Sequence, residues 1–332
     1  MPRARLAQFL PMVFVVAIAT AQQSQPAQQS PEPSFASLST PPVGLPPMPK
    51  PAGYEPTQAM FDLGQRLFHD VNLSSDRTVS CATCHPAANG FASPEPLPKG
   101  IAGRRAKRHA PALWNRGYST LQRWDGSSAS LEAFVLEPIA DENEMGLPLP
   151  EAISRLRNDA TYKDQFAAAF ASEADAVPLQ RALATFVRGI TAGNAPYDRF
   201  QRGAVDALTP AQRSGQWIFE SKGGCWRCHT PPLFTDEAFH NTGIGVREGK
   251  AEAGRASVTA DPADQGRWKT PTLRGVRLSA PYMHDGSLAT LEDVVAFYVR
   301  GGNANPTLDP HMQPLQLTAA DQRNLVAFLL SL

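Results

Sequence analysis

The 332 residues include only four cysteines, too few for a small fold stapled by disulfides. Neither sign of charge is in excess, because 31 Lys and Arg face 31 Asp and Glu. A surface built to neutralise phosphates is basic, so nucleic acid is not an expected partner. No convincing run of alternating apolar and polar residues is present, which argues against a sheet protein. Beyond residue 21 no stretch is apolar enough to span a bilayer, so the mature chain is expected to have no membrane span. Proline, by contrast, is abundant. Its 31 residues exceed the ordinary share of about 5% and predict long ordered connections or an extended tail. Hydrophobic residues make up 42%, enough for ordinary cores, and the length fits two domains of roughly 100–200 residues each.

The chain opens with Arg3 and Arg5, an apolar run from Leu6 to Ala19, and the small residues Ala19-Thr20-Ala21. This is the layout of a secretory signal peptide over residues 1–21. The run falls short of the roughly 20 residues that span a bilayer, and Pro11 interrupts it. Cleavage and a periplasmic location are therefore expected. Residues 22–56 are rich in Gln, Pro and Ser and have no helical or strand period. They read as an extended leader, partly polyproline II, with the role of a passive spacer.

The four cysteines occur as Cys81-Ala-Thr-Cys84-His85 and Cys225-Trp-Arg-Cys228-His229. Both are C-x-x-C-H, the c-type haem attachment pattern. Two thiols three residues apart add to the two vinyl groups of one haem, and the adjacent His faces the iron. A zinc ribbon also pairs two C-x-x-C units, but with about 15–20 residues between them, and Cys84 lies much further from Cys225. A thioredoxin-type pair needs no His after its second Cys. Two covalent haems per chain are expected.

Each motif follows a similar stretch: Gly64-Gln65-Arg66-Leu67-Phe68 before the first, Gly215-Gln216-Trp217-Ile218-Phe219 before the second. Thr57 and Thr209 stand where helix N-caps belong, the latter followed by Pro210. Thr318 precedes a closing helix through Leu325, Val326 and Leu329. Helix, C-x-x-C-H, loops and closing helix is the organisation of a cytochrome c domain. The expected fold is all-α, with two cytochrome c-like haem domains and long loops, over residues 57–200 and 201–332.

From about Ala59 to the C-terminus the sequence resembles the bacterial di-haem cytochrome c peroxidases, including their MauG branch. The resemblance is carried by Leu63-Gly64 to Phe68, Leu73-Ser74-Ser75-Asp76, Trp124-Asp125-Gly126, Glu144-Met145-Gly146, Pro271-Thr272-Leu273-Arg274, Ala280-Pro281-Tyr282-Met283-His284-Asp285-Gly286 and Leu291-Glu292. It implies that peroxide reacts at the N-terminal haem, held by His85, and that the C-terminal haem, held by His229, handles electrons. Glu144 matches the family's distal acid/base. Read alone, it is a solvated acid in the run Asp141-Glu142-Asn143-Glu144. Pro138 matches a proline that shapes the distal pocket. Trp124 matches a tryptophan between the haems that carries a hole across the gap, although an isolated buried Trp is usually core. Trp114, Trp217, Trp226 and Trp268 read as packing residues.

Two departures stand out. Phe134 occupies the place of a distal Gln, which removes a hydrogen-bond donor. The loop Gly100-Ile101-Ala102-Gly103 lacks the displaceable His of many family members, so an open distal side is expected, as in the MauG branch. A calcium site is also implied, with carbonyls at Ser279 and Pro281. There His109 replaces an Asn, and imidazole is a poor ligand for a hard ion. Either calcium is lost or water fills the gap.

On the far side of the C-terminal haem the classical peroxidases use Met, and the matching residue is Tyr298. Leu291, Val294, Val295 and Tyr298 fall on one face of a helix capped by Thr290, so Tyr298 points inward. A core tyrosine fits that periodicity equally well. MauG-like proteins use Tyr here, and phenolate favours the higher iron states where Met/His raises the potential. Met283 and Met312 are the rival ligands. The first functional expectation is an exported peroxidase. It reduces hydrogen peroxide with electrons relayed from a small redox protein, of cytochrome c or cupredoxin type, through the C-terminal haem and Trp124. The alternatives are a MauG-like oxidase of a partner protein and a pure electron carrier.

Overall fold

The computed structural model describes residues 31–332. The expected export signal and the first part of the leader lie outside the described residues. Twelve helices follow in chain order: α1 Gln58–His69, α2 Cys81–Cys84, α3 Leu131–Phe134, α4 Glu137–Ala140, α5 Leu149–Asn158, α6 Ala160–Phe170, α7 Ala176–Arg188, α8 Pro196–Gln201, α9 Pro210–Glu220, α10 Ala256–Thr259, α11 Leu291–Val299 and α12 Ala319–Leu329. Among the described residues the only paired strands are β1 Phe239–His240 and β2 Trp268–Lys269, antiparallel, with His240 opposite Trp268. The fold is mostly helical.

The caps fall where the sequence places them. The hydroxyl oxygens of Thr57, Thr209, Thr290 and Thr318 accept backbone N–H groups in the first turns of α1, α9, α11 and α12. At the last three a Gln or Asp side chain reciprocates in a capping box.

Two hydrophobic clusters form. One runs from Phe61 to Ala192, the other from Tyr197 to Leu332. In the first, α1 packs on α7; in the second, α9 packs on α12. The repeated glycine explains both crossings. A Cβ at Gly64 would overlap the carbonyl oxygen of Ala182, and one at Gly215 would overlap that of Asn324. Each glycine therefore lets one helix backbone rest on the other. Leu67 and Phe68, or Ile218 and Phe219, are then almost fully buried one turn further on, each side chain contributing about 1.5–3 kcal/mol.

The leader is not a spacer over its described part. Residues 31–56 lie against both clusters. Ser34 donates its N–H to the Gly189 carbonyl at 3.0 Å, and Asn194 donates to Val43 at 2.7 Å. Tyr118 donates its hydroxyl to the Pro46 carbonyl at 2.8 Å. In the second cluster Arg274 donates to the Gly44 carbonyl at 3.0 Å, beside its buried bidentate pair with Asp198 at 2.9 Å. Proline held this segment extended, as expected, but the folded body supplies partners for its backbone.

Candidate active site

Two cavities of similar size, about 210 and 260 Å³, open within the molecule. The N-terminal one is lined by Cys81, Cys84 and His85, the C-terminal one by Cys225, Cys228 and His229. The attachment motifs are held alike. Ser80 and Thr83 cap α2, with the Ser80 N–H on the Thr83 hydroxyl at 2.9 Å. His85 Nδ1 donates to the Phe91 carbonyl at 2.8 Å, and His229 Nδ1 donates to the Phe234 carbonyl at 2.9 Å. Each bond orients its ring and leaves Nε2 as the free lone pair. Burial pushes the His85 pKa down to about 4, so the ring is neutral, the form that binds a metal. Burial also raises the Cys81 and Cys225 thiols to about 12.

Phe134, Pro138 and Glu144 all line the N-terminal cavity. Burial raises the pKa of Glu144, while Arg123 opposes the shift. The Gly100–Gly103 loop braces Glu144: Ile101 donates its N–H to the Glu144 carbonyl at 2.8 Å. Gly100 lies so close to Asn143 and Glu144 that a Cβ would overlap their carbonyl oxygens. Sequence reasoning missed Arg123. Its guanidinium lies 5.4 Å from the centre of the Phe134 ring and pairs with Glu137 at 2.6 Å. A cation therefore lines the pocket that Phe134 deprives of an amide.

In the C-terminal cavity Tyr298 points inward from α11, and burial raises its pKa. Met283 and Met312 line the same cavity, so all three candidate ligands are brought together. Ser279, Pro281 and His109 also line it. The His109 ring is engaged with the Glu95 carbonyl at 3.2 Å. Cys228, Asp236 and His240 come within metal-binding reach of one another, but the haem attachment motif already claims the thiol of Cys228. His240 instead sits between the carboxylates of Asp236 and Asp309, at 2.8 and 2.7 Å.

The cavities share a wall. His109, Arg116, Trp124, Trp268 and Lys269 line both. Trp124 donates its indole N–H to the His109 carbonyl at 2.8 Å. The Trp268 indole N–H is buried with no hydrogen-bond partner among the described residues.

The wall is built from a repeat that the sequence reading passed over. Residues 108–138 and 268–298 correspond at a constant offset, so that Trp124-Asp125-Gly126-Ser127 matches His284-Asp285-Gly286-Ser287. In each copy the Asp carboxylate accepts the Ser N–H at 3.0 Å. A bridge closes each turn, Gln122 to Ser128 and Tyr282 to Leu288, and Arg123 and Met283 both have positive φ. The copies meet reciprocally. His109 donates its N–H to the His284 carbonyl, and its equivalent Lys269 donates to the carbonyl of Trp124, both at 2.8 Å. Trp124 meets its own equivalent His284 edge-on at 6.4 Å. Arg108 lies 4.8 Å over its own equivalent Trp268. Such reciprocity marks a local two-fold axis.

Residues 58–206 match the family model for di-haem cytochrome c peroxidases. The methylamine utilization protein MauG of Methylorubrum extorquens is 36% identical over 286 residues, which cover 85% of this chain and 80% of MauG. This chain belongs to the di-haem cytochrome c peroxidase/MauG family. The cytochrome c peroxidase Ccp of Escherichia coli K12 is 31% identical, over 83% of this chain and 59% of Ccp. Among solved structures, a MauG-like protein associated with microbial copper homeostasis superposes with a TM-score of 0.82 at 31% identity. The match covers 87% of this chain and 93% of that one. As a family member the chain is an oxidoreductase acting with peroxide, and its cofactors are two haem c groups. The cavities fit them: each holds an intact attachment motif and a neutral, oriented His, and basic side chains suited to haem carboxylates line the wall between. No helix among the described residues is long and apolar enough to cross a membrane.

Proposed function

We propose that the protein is an exported peroxidase that consumes hydrogen peroxide at the N-terminal cavity and draws the compensating electrons from a protein partner through the C-terminal cavity. The observation that carries this reading is the shared wall, in which Trp124 lines both cavities. The two haem domains span residues 57–200 and 201–332, and the export signal sends the chain to the periplasm. Arg116 is the side chain that would hold a haem carboxylate at the wall, since Lys269 is already paired with Glu237. When bound, the N-terminal haem supplies the electrons that break the peroxide O–O bond.

Glu144 takes the proton from the inner peroxide oxygen and returns it to the outer one, so water leaves rather than hydroxide. Pro138 and Phe134 keep the pocket apolar around that transfer. Trp124 gives up an electron towards the N-terminal cavity and regains one from the C-terminal side. Its N–H faces a carbonyl, which is not a base, so the proton stays and the oxidised indole is re-reduced cleanly. Tyr298 would supply an oxygen ligand to the C-terminal haem. It favours a second reading, a MauG-like oxidase that holds oxidising equivalents and acts on residues of the partner, because an anionic oxygen stabilises higher iron states. A calcium ion there would take the carbonyl oxygens of Ser279 and Pro281 with water filling the gap, because the His109 imidazole is a poor ligand for a hard ion.

A spectrum of the purified ferric protein before and after one equivalent of peroxide tests the reading. The expected result is one open haem that reacts and one six-coordinate haem that is oxidised in turn. Two unreactive six-coordinate haems would make the protein a pure electron carrier. Reaction with peroxide that never reaches the second haem would end the relay.

A further inference from the structure

Trp268 reads as a packing residue in the sequence, yet its surroundings are those of a redox side chain. It comes from β2, in the opposite half of the molecule from Trp124, and lines the same two cavities. The His284 imidazole stacks on its indole, ring centres 3.9 Å apart and planes within 20°. The Arg108 guanidinium also lies over the indole, 4.8 Å from the ring centre. His284 also meets Trp124 edge-on. His284 therefore touches both indoles, stacked on Trp268 and edge-on to Trp124. The local two-fold axis gives this arrangement a logic. In each self-paired position, Trp124 with His284 and Arg108 with Trp268, one half contributes an indole and the other a basic side chain. Each half supplies one indole.

The charges around Trp268 balance. Arg108 pairs with Glu252 at 2.7 Å, and the same carboxylate lies 3.7 Å from His284 Nε2. The cation on the indole face is thus partly offset by an anion beside it. The Trp268 N–H, like that of Trp124, faces no base among the described residues. An electron can leave and return without loss of a proton.

We propose that Trp268 is a second relay residue, and that the hole passing between the cavities is shared by Trp124 and Trp268 through His284. This rests on the relay reading above. Peroxide is the oxidant and the partner protein the reductant. The Trp268 indole loses one electron towards the N-terminal cavity, becomes a radical cation, and regains one electron from the C-terminal side; no bond forms or breaks and no proton moves.

The test uses the haem-loaded protein, mixed with one equivalent of peroxide and freeze-quenched for electron paramagnetic resonance. Trp124→Phe and Trp268→Phe should each retain part of the indole radical signal, and the double variant should lose it. Ferric spectra of all three, taken before peroxide, check haem loading and fold. Arg108→Gln removes the cation from the Trp268 face and leaves Glu252 beside it, so the radical should become more abundant and longer lived. A purely structural Trp268 would not respond in that way. The proposal is overturned if Trp124→Phe alone abolishes the signal while Trp268→Phe matches the parent; the relay then survives on Trp124 only. If neither variant changes the signal or the oxidation of the second haem, the relay reading itself fails.

Discussion

The two halves of the molecule use one scaffold for different ends. Each rests a glycine of its first long helix on the backbone of its closing helix, and each orients a haem-binding His through a carbonyl. Each then presents the same closed turn to the wall between the cavities. The differences lie in the side chains mounted on that scaffold. Pro138, which cannot ligate a metal, occupies the position of Tyr298, which can. Trp124 occupies that of His284. Trp114 occupies that of Arg274, both less than 2% exposed, so an apolar group fills one slot and a guanidinium paired with Asp198 fills the other. Glu144 has no counterpart. An acid, Glu144, thus lines one cavity and a phenol, Tyr298, lines the other. On the proposed reading, a peroxide-reactive site and an electron-handling site differ by a handful of substitutions on a shared frame.

The comparison breaks most sharply at Glu144. Glu144→Gln should slow reaction with peroxide roughly 10²–10⁴-fold, with the C-terminal haem spectrum unchanged. Because burial raises the Glu144 pKa, the carboxylate that accepts the proton exists only above that raised value. The stopped-flow rate should therefore rise with pH through a midpoint above the ordinary glutamate range, and the Gln variant should lose this rise. A rate unaltered in the variant would return Glu144 to the solvated acidic run.

The matched core slots should respond unequally. Asp198→Asn leaves the Arg274 guanidinium buried without its charge partner, a loss of about 3–5 kcal/mol read from the denaturation midpoint. Trp114→Phe, which leaves only a partly filled apolar space, should cost less. Equal costs would mean that the ion pair is replaceable by packing.

The helix crossings, in contrast, should respond alike. Gly64→Ala and Gly215→Ala each push a methyl into a carbonyl oxygen of the facing helix, and each should cost about 1–3 kcal/mol. A large loss at one and none at the other would show that the halves do not share this packing device.

The smallest effect on stability, and the most diagnostic for function, is expected at Tyr298. Tyr298→Phe should change stability by only about 1 kcal/mol, while the C-terminal haem moves from six-coordinate towards five-coordinate or water-ligated and its potential rises. The N-terminal haem should be untouched. A ferric spectrum identical to the parent would transfer the ligand role to Met283 or Met312, which line the same cavity.

Covalent chemistry and local capping were legible from sequence, because they depend on residues close together in the chain. Two thiols and a His within five positions specify a haem, and a Thr before an apolar period specifies a helix start. The repeated Gly64 and Gly215 stretches were visible too, although their purpose needed the facing helix. The wall was decided by tertiary structure. Trp268 looked like packing and Arg123 drew no reading, because neither belongs to a motif with a chemistry of its own. Their character comes from what a two-fold arrangement brings against them: an imidazole and a guanidinium on one ring, a phenylalanine and an acid beside the other. The leader likewise looked idle, since polar and proline-rich composition reports the absence of a core of its own and says nothing of carbonyls offered by another part of the chain. Local sequence determined which groups the protein carries. Long-range packing determined which of them share a burial, a charge or a face, and those shared environments set their pKa values and underlie the redox roles proposed for them.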